Sequence, residues 1–282
     1  MTQPFPGGSV CTRVRPLASV LFLLLACTAA ASEAPGSPVG EWRYVLLWNG
    51  LPAGSASVRV DRDEKAGTYV VEGEARTNAL VDLFWRLRAS LRSVVDASSW
   101  RPRRYELVRK KSKKRKVVEV AFSRDGAVGW YSRRGKVTVR KVEEPRILDP
   151  VAAALRALAF PLRTNEPYSY RVFTGRALYE VEARILGREK VRVPAGEFEA
   201  WKAFLRVVRV PREAREKKDD DEPTELEIWL AGEKPSVPVR VEGKLAGFPI
   251  GLELEDASTP PPRSAHSAGS GATAATRASS PG

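Results

Sequence analysis

The amino-acid sequence predicts a mainly β protein: a single, strongly curved antiparallel sheet, an open or partial β-barrel, with one short helix. Apolar and polar residues alternate with a period of two through most of residues 40–256, which is typical of strands with one buried face. Turn-forming residues separate these segments at short intervals, so strands should pair with their neighbours along the chain. Only the segment near residue 150 has a clear helical pattern of its own.

The first half of this region contains strands joined by tight connections. Trp42–Trp48 opens it, and Asn49-Gly50 predicts a turn because both residues tolerate positive φ. The pattern over 81–92 fits a helix as well as a strand, so a short helical turn before the strand at 87–96 is also predicted. The further predicted strands are 55–61, 68–75, 87–96, 103–109, 116–123, 127–132 and 136–142.

A helix follows. Asp149 is its predicted N-cap and Pro150 its first residue, where the missing N–H costs nothing. Val151, Leu155 and Leu158 predict a narrow apolar stripe along it. Strands then return, with Pro194-Ala195-Gly196 as a tight connection. These strands are 168–174, 178–187, 190–193, 199–210, 224–230, 238–245 and 251–254.

The two ends of the chain differ from this domain in composition. Residues 1–31 combine Arg13 and Arg15, an apolar run over 17–26 and Ala29-Ala30-Ala31, the pattern of a cleaved export signal. The predicted organisation is therefore a signal peptide (1–31), a linker (32–39), a β-rich domain (40–256) with a charged loop insertion (211–223), and a disordered tail (257–282) rich in Ser, Ala, Thr, Gly and Pro.

Cysteine and histidine usage limits the chemistry that the sequence predicts. The two cysteines, Cys11 and Cys27, both precede the predicted cleavage site, and the single histidine, His266, lies in the predicted tail. We therefore expect no catalytic triad, no His/Cys metal site and no cofactor, and we expect a protein that is not an enzyme. In an alternative reading, Leu24-Leu25-Ala26-Cys27 is a lipobox, and Cys27 is acylated to tether the protein to the outer membrane.

The net charge of +13 favours acidic partners. For an exported protein these are anionic lipid headgroups or glycans, and nucleic acid is not expected. The charge is densest at a hairpin end, where we expect either a solvated turn that protects the sheet edge or contact with an anionic envelope surface. The residues concerned are Lys110, Lys111, Lys113, Lys114, Arg115 and Lys116.

A second cluster is apolar and precedes the strand at 87–96. It comprises Leu80, Val81, Leu83, Phe84 and Trp85. One interpretation is a plug that closes one end of the barrel. The other is a mouth or lid for an apolar ligand, in which Leu80, Leu83, Phe84 and Trp85 bind the guest.

Several of these segments together resemble the DUF3108 family of exported bacterial proteins of unknown function. The matching stretches include Gly40–Tyr44, Trp48–Gly54, Asn78–Phe84, Leu148–Leu155 and Val193–Phe198, followed by Ile228-Trp229-Leu230 and Pro238–Val241. The resemblance spans about residues 40–255. It implies a periplasmic or envelope β-rich domain, loosely similar to half-barrel envelope lipoprotein carriers, and it brings no catalytic residues.

Two functional hypotheses from different classes follow. The first is a non-enzymatic envelope protein that binds a lipid or other apolar envelope component in the groove of its curved sheet. The second is a structural or interaction protein of the periplasm with a filled core and a protein partner.

Overall fold

A computed structural model of the protein describes residues 36–112, 114–159, 164, 167–211, 222–232, 236–245 and 247–258. The described chain forms fourteen strands and two helices. In chain order they are β1 (Gly40–Trp48), β2 (Leu51–Asp63), β3 (Thr68–Thr77), α1 (Ala79–Asp82), β4 (Leu87–Asp96), β5 (Pro102–Lys111), β6 (Lys114–Phe122), β7 (Ala127–Arg133), β8 (Lys136–Val142), α2 (Pro150–Ala159), β9 (Tyr168–Phe173), β10 (Leu178–Val193), β11 (Gly196–Val210), β12 (Thr224–Ala231), β13 (Val237–Leu245) and β14 (Phe248–Ala257).

All fourteen strands belong to one antiparallel sheet, as the sequence predicted. Its order is β8-β7-β6-β5-β4-β3-β2-β1-β14-β13-β12-β11-β10-β9, so nearly every strand pairs with its sequence neighbour. The ladder between β1 and β14 joins the part of the sheet formed by β1–β8 to the part formed by β9–β14. The edge strands are β8 and β9, which α2 separates along the chain.

Local sequence accounts for the turns. Asn49 and Gly50 both have positive φ, 49° and 75°, as predicted for the turn between β1 and β2. Pro194 and Ala195 alone connect β10 to β11, which confirms the tight connection there. The strands predicted over 178–187 and 190–193 are one strand, β10, whose register shifts between Ile185 and Gly187. A bulge of this kind bends a strand without ending it.

The two edges of the sheet meet without a hydrogen-bonded ladder among the described residues. The turn between β9 and β10 lies on the inner face of β6 and β7, where Gly175 contacts Gly129 so closely that a Cβ on Gly129 would lie 2.5 Å from the Gly175 carbonyl oxygen. Arg140 Nη1 donates a hydrogen bond to the Arg176 carbonyl oxygen at 2.7 Å, and Leu148 forms a single parallel bridge with Val172. The sheet is therefore curled but open.

Helix α2 lies inside the curl, at one end. Asp149 Oδ1 accepts hydrogen bonds from the N–H groups of Val151 (2.7 Å) and Ala152 (2.9 Å), which confirms the predicted N-cap. Asp149 Oδ2 accepts a 2.9 Å hydrogen bond from Ser93 on β4. At the other end of the helix the Leu158 carbonyl accepts from the N–H of Ser236, just before β13. The helix thus spans the concave side from β4 to β13.

The predicted narrow stripe on this helix is wrong. Eight of its ten residues are buried, because the sheet surrounds the helix rather than supporting it on one side. The buried residues are Pro150, Val151, Ala152, Ala153, Ala154, Leu155, Ala157 and Ala159. Its many alanines let the backbone pass close to the strands around it.

Candidate functional site

The connection between β3 and β4 presents apolar side chains to solvent. Asn78 caps the short helix α1: its side chain accepts a 3.0 Å hydrogen bond from the Val81 N–H and donates one of 2.7 Å to the Pro52 carbonyl oxygen. Asp82 forms an ion pair with Arg88 and accepts a hydrogen bond from the Thr77 hydroxyl. These hydrogen bonds, first that from Arg88, lower the pKa of Asp82 to about 2. A polar base thus holds the connection in place.

The apolar side chains of this connection point away from the interior of the sheet. Leu80, Leu83 and Phe84 are 73%, 77% and 89% exposed, so these side chains do not form the plug considered above. Trp85 is half-buried. Three large apolar side chains this exposed on one short connection are unusual for a monomeric soluble protein and are typical of a contact surface.

Most of the basic segment 110–116 lies in strands, whereas the sequence predicted a turn over residues 110–115. Strand β5 runs to Lys111 and β6 starts at Lys114, with Lys110 opposite Arg115 and Lys111 opposite Lys114. Cations fill both strands up to the turn, so like charges face one another directly, an arrangement that disfavours pairing. Lys113 lies outside the described residues.

The structure brings the apolar and the basic cluster together, which the sequence did not predict. The Ser112 N–H donates a 2.9 Å hydrogen bond to the Arg86 carbonyl oxygen. Lys111 Nζ lies 4.9 Å from the centre of the Trp85 ring, a cation–π distance. The connection between β3 and β4 and the end of the β5–β6 hairpin therefore form one continuous surface.

Other connections at the same end of the sheet extend this surface. The Asn49 N–H donates to the Pro249 carbonyl oxygen at 2.9 Å, and the rings of Trp48 and Phe248 meet edge to face with centroids 6.1 Å apart. We call this end of the sheet the apolar rim. It is defined by the exposed side chains Trp48, Leu51, Leu80, Leu83, Phe84 and Phe248.

The two faces of the β5–β6 hairpin differ. Lys110 and Arg115 point to the convex side, where they line a cleft of about 620 Å³ together with Arg88. The opposite face carries Lys116, which lies directly across from the buried Arg109. Burial first, and then the neighbouring cations, lower the pKa of Lys116 to about 8.

Four residues of this inner face were not predicted as site residues: Arg109, Tyr131, Arg133 and Arg176. The alternation in β5, which places Leu107 inward, also places Arg109 inward, so the pattern carried that signal. Arg176 sits on the turn between β9 and β10, with its guanidinium carbon 5.0 Å from the centre of the Tyr131 ring. No local pattern predicts that contact, because it joins the two ends of the sheet.

Beside α2 the interior is nearly full. The cavity there has a volume of about 40 Å³ and is lined by apolar side chains that include Trp42, Tyr44 and Leu155. Sites for small molecules usually enclose about 300–1,000 Å³. The helix end of the concave side is therefore packed core.

The described part of the chain contains no group of three His, Cys, Asp or Glu side chains arranged to hold a metal ion. No helix within the described ranges is long and apolar enough to cross a membrane. His266, Cys27 and the predicted signal peptide lie outside the described residues.

Fold and site together define an open, curled antiparallel sheet with an internal helix and a rim that is both apolar and basic. The family model described as "Protein of unknown function (DUF3108)" matches residues 43–253, so the chain belongs to the DUF3108 family. A search of curated proteins found no match.

The chain is similar to several solved structures at low sequence identity. A β-barrel-like protein of the domain of unknown function DUF1849 from Brucella abortus is 10% identical, with a TM-score of 0.53 over 79% of this chain and 97% of that one. A candidate lipoprotein from Parabacteroides distasonis is 12% identical, with a TM-score of 0.38 over 79% of this chain and 97% of that one. A candidate exported protein with a YmcC-like fold from Bacteroides fragilis is 10% identical, with a TM-score of 0.37 over 80% and 100%. Only the first score supports the shared fold.

Proposed function

We propose that this protein is exported to the cell envelope and binds a lipid or another apolar envelope component there, without catalysing a reaction. The observation that carries the proposal is the apolar rim: solvent-exposed Leu83 and Phe84 lie beside the basic end of the β5–β6 hairpin on one surface. The pattern of residues 1–31 supports export, to the periplasm or, with Cys27 acylated, to a tethered position at the outer membrane.

The physical argument combines two forces. Full burial of a leucine or phenylalanine side chain contributes about 1.5–3 kcal/mol, and each basic residue near an anionic surface adds about 1 kcal/mol. Neither force alone holds a small protein firmly on a bilayer, but together they are the usual pair of signals for peripheral attachment. The packed interior beside α2 supports a contact at the rim rather than deep in the groove.

Vesicle flotation of the mature protein tests this proposal. Vesicles of phosphatidylcholine with phosphatidylglycerol should carry the protein, and replacing Leu83 and Phe84 by serine should weaken binding about tenfold or more, because apolar area is no longer buried. The matched control replaces Val139 and Leu186 by serine. These side chains are also exposed, but they lie within β8 and β10, away from the rim.

The proposal is wrong if the wild-type protein fails to float with anionic vesicles. It is also wrong if the control pair of substitutions reduces flotation as much as the rim pair does. Native mass spectrometry on protein purified from its own envelope provides an independent check. We expect a co-purifying lipid.

A second candidate function rests on the packed interior. Helix α2 and the 40 Å³ cavity beside it leave little room for a guest at that end, as in a structural protein of the periplasm that binds a protein partner. A bare mass in native mass spectrometry, together with a specific cross-linked protein partner through the apolar rim, would favour this candidate over lipid binding.

A further inference from the structure

The inner face near the apolar rim carries cations in direct succession. Arg109 on β5 lies opposite Lys116 on β6, and Lys116 lies opposite Arg133 on β7. Lys111 follows two residues after Arg109 on the same face, opposite Lys114. Like charges directly opposite each other on neighbouring strands destabilise a sheet. A negative charge near this row of cations would offset their repulsion.

No carboxylate supplies that compensation within the described ranges. Elsewhere on the sheet arginines have acidic partners: Arg88 pairs with Asp82, Arg104 with Glu106, and Arg240 with Glu253. For Arg109, Lys116 and Arg133 no ion pair is formed with any described residue. The neighbours that most affect the charge of Lys116 are all cations, on three elements: Arg109 and Lys111 (β5), Arg133 (β7) and Arg176 (the β9–β10 turn).

Arg109 is the most buried member of the group. Only 9% of its surface is exposed, and its Nη1 has no hydrogen-bond partner among the described residues. The ring of Tyr131 on β7 lies under the guanidinium of Arg176, and its hydroxyl is likewise buried without a hydrogen-bond partner among the described residues. Leaving a buried charged donor unsatisfied is costly, so proteins usually give it a partner, which is another residue, a water molecule or a bound ion.

The row runs from buried to exposed. Arg109 is buried, Lys116 is half-buried, and Arg133 and Arg176 are exposed. An anion arriving from solvent therefore meets the exposed guanidinium groups first and approaches the buried one last. Arginine and lysine side chains converging in this way are the groups that proteins use to hold phosphate.

We propose that Arg109, Lys116, Arg133 and Arg176, with the Tyr131 hydroxyl, form a binding site for a phosphate group on the inner face of β5–β7. The phosphate belongs either to a lipid headgroup or to a free solute, and the oxygen chemistry is the same in both. This site goes beyond the proposed attachment through the apolar rim and does not depend on it, since it can be tested in free solution.

Calorimetric titration of the mature protein with inorganic phosphate, and separately with sulfate, tests the site without a membrane. We expect binding at pH 6.5, and replacement of Arg109 or Lys116 by methionine should weaken it about tenfold or more. The matched control replaces Lys110 and Arg115 by methionine. This pair lies on the same hairpin but on the convex face, and its removal should leave the affinity within about twofold.

Stability provides a second readout that a purely structural role would not produce. Without anion, Lys116→Met should raise the thermal midpoint because it removes repulsion among cations. Added sulfate should raise the midpoint of the wild-type protein, and much less that of the variant. A lower midpoint for Lys116→Met in both conditions would contradict the site.

The pH dependence follows from the lowered pKa of Lys116, about 8. Sulfate does not titrate between pH 6 and 9, so its affinity should fall as Lys116 loses its proton above pH 8. A constant affinity across this range, or equal losses in the convex-face control, would overturn the proposal.

Two further arms identify the source of the phosphate. Vesicles of phosphatidylcholine with phosphatidic acid present lipid phosphate, and phosphatidylcholine vesicles without it serve as the blank. Binding of inorganic phosphate in solution, sensitive to Lys116→Met, establishes a solute site. Binding only to phosphatidic acid vesicles, with the same sensitivity, establishes a headgroup site. Absence of both rules the site out, whatever the Leu83/Phe84 variant shows.

Discussion

At the scale of single residues, Asp149 is a buried carboxylate with hydrogen-bond partners on two elements. It caps α2 through the N–H groups of Val151 and Ala152, it accepts a hydrogen bond from Ser93, and it is completely buried. Burial raises the pKa of its carboxyl group to about 6, although these three hydrogen bonds oppose the rise. The folded protein therefore holds this proton more tightly than the unfolded chain does.

A pH-dependent stability follows, with a defined sign. Because the folded pKa lies above the ordinary aspartate value of 3.8, ionisation of Asp149 lowers the free energy of unfolding as pH rises from about 4 to 6. Asp149→Asn keeps an N-cap oxygen and cannot ionise. Its stability relative to wild type should increase between pH 4 and 7, by up to about 3 kcal/mol for a shift of this size.

Urea unfolding of both proteins at several pH values measures this difference. Asp149→Ala serves as the comparison, since it loses the cap and should be destabilised at every pH, by about 1–2 kcal/mol for the cap alone. A difference between Asp149→Asn and wild type that does not change with pH would show that the carboxyl group titrates as in the unfolded chain.

At the scale of elements, the turn between β9 and β10 connects the two edges of the open sheet. It places Gly175, with a φ of 76°, against Gly129, Val118 and Val120 on the inner face of β6 and β7. Only a residue without a Cβ fits at either glycine, and the contact also carries Arg176 to the cationic row. The same turn thus brings the two edges of the sheet together and contributes Arg176 to the proposed phosphate site.

Gly129→Ala should be destabilising by about 1–3 kcal/mol, because its Cβ would overlap the Gly175 backbone and force the turn away. Gly251→Ala is the control. That glycine also lies in a strand, and its nearest contacts would be at 3.5 Å or more. Chemical denaturation measures both variants, and an equal effect at the two positions would contradict the close contact between the turn and β7.

At the scale of the whole molecule, charge and exposed apolar surface should contribute separately to the proposed binding to a lipid surface. The chain carries a formal charge of +13, and its basic hairpin and exposed apolar residues meet at one end of the sheet. Electrostatic attraction between exposed charges is screened by salt, with a Debye length of about 10 Å at 0.1 M and 3 Å at 1 M, whereas burial of apolar surface is not weakened in this way.

Vesicle binding should separate the two contributions. Raising sodium chloride from about 0.02 M to 0.5 M should weaken binding of the wild-type protein to anionic vesicles. Replacing Lys110, Lys111, Lys113 and Lys114 by serine should flatten this salt dependence, while Leu83→Ser with Phe84→Ser should lower affinity and leave the dependence on salt. If the lysine variant binds as well as wild type at low salt, the hairpin end is only a solvated turn.

The sequence by itself determined the sheet, most strand boundaries, the capped helix and the family, because alternation, Asn49-Gly50 turns and N-cap chemistry act between residues close in the chain. It also located the apolar and basic clusters. Only the tertiary structure decided that these clusters form one surface, that α2 is buried all round, and that Arg176 reaches Tyr131. Such contacts join residues far apart in sequence, and they depend on how a fourteen-stranded sheet curls as a whole, which no local pattern encodes.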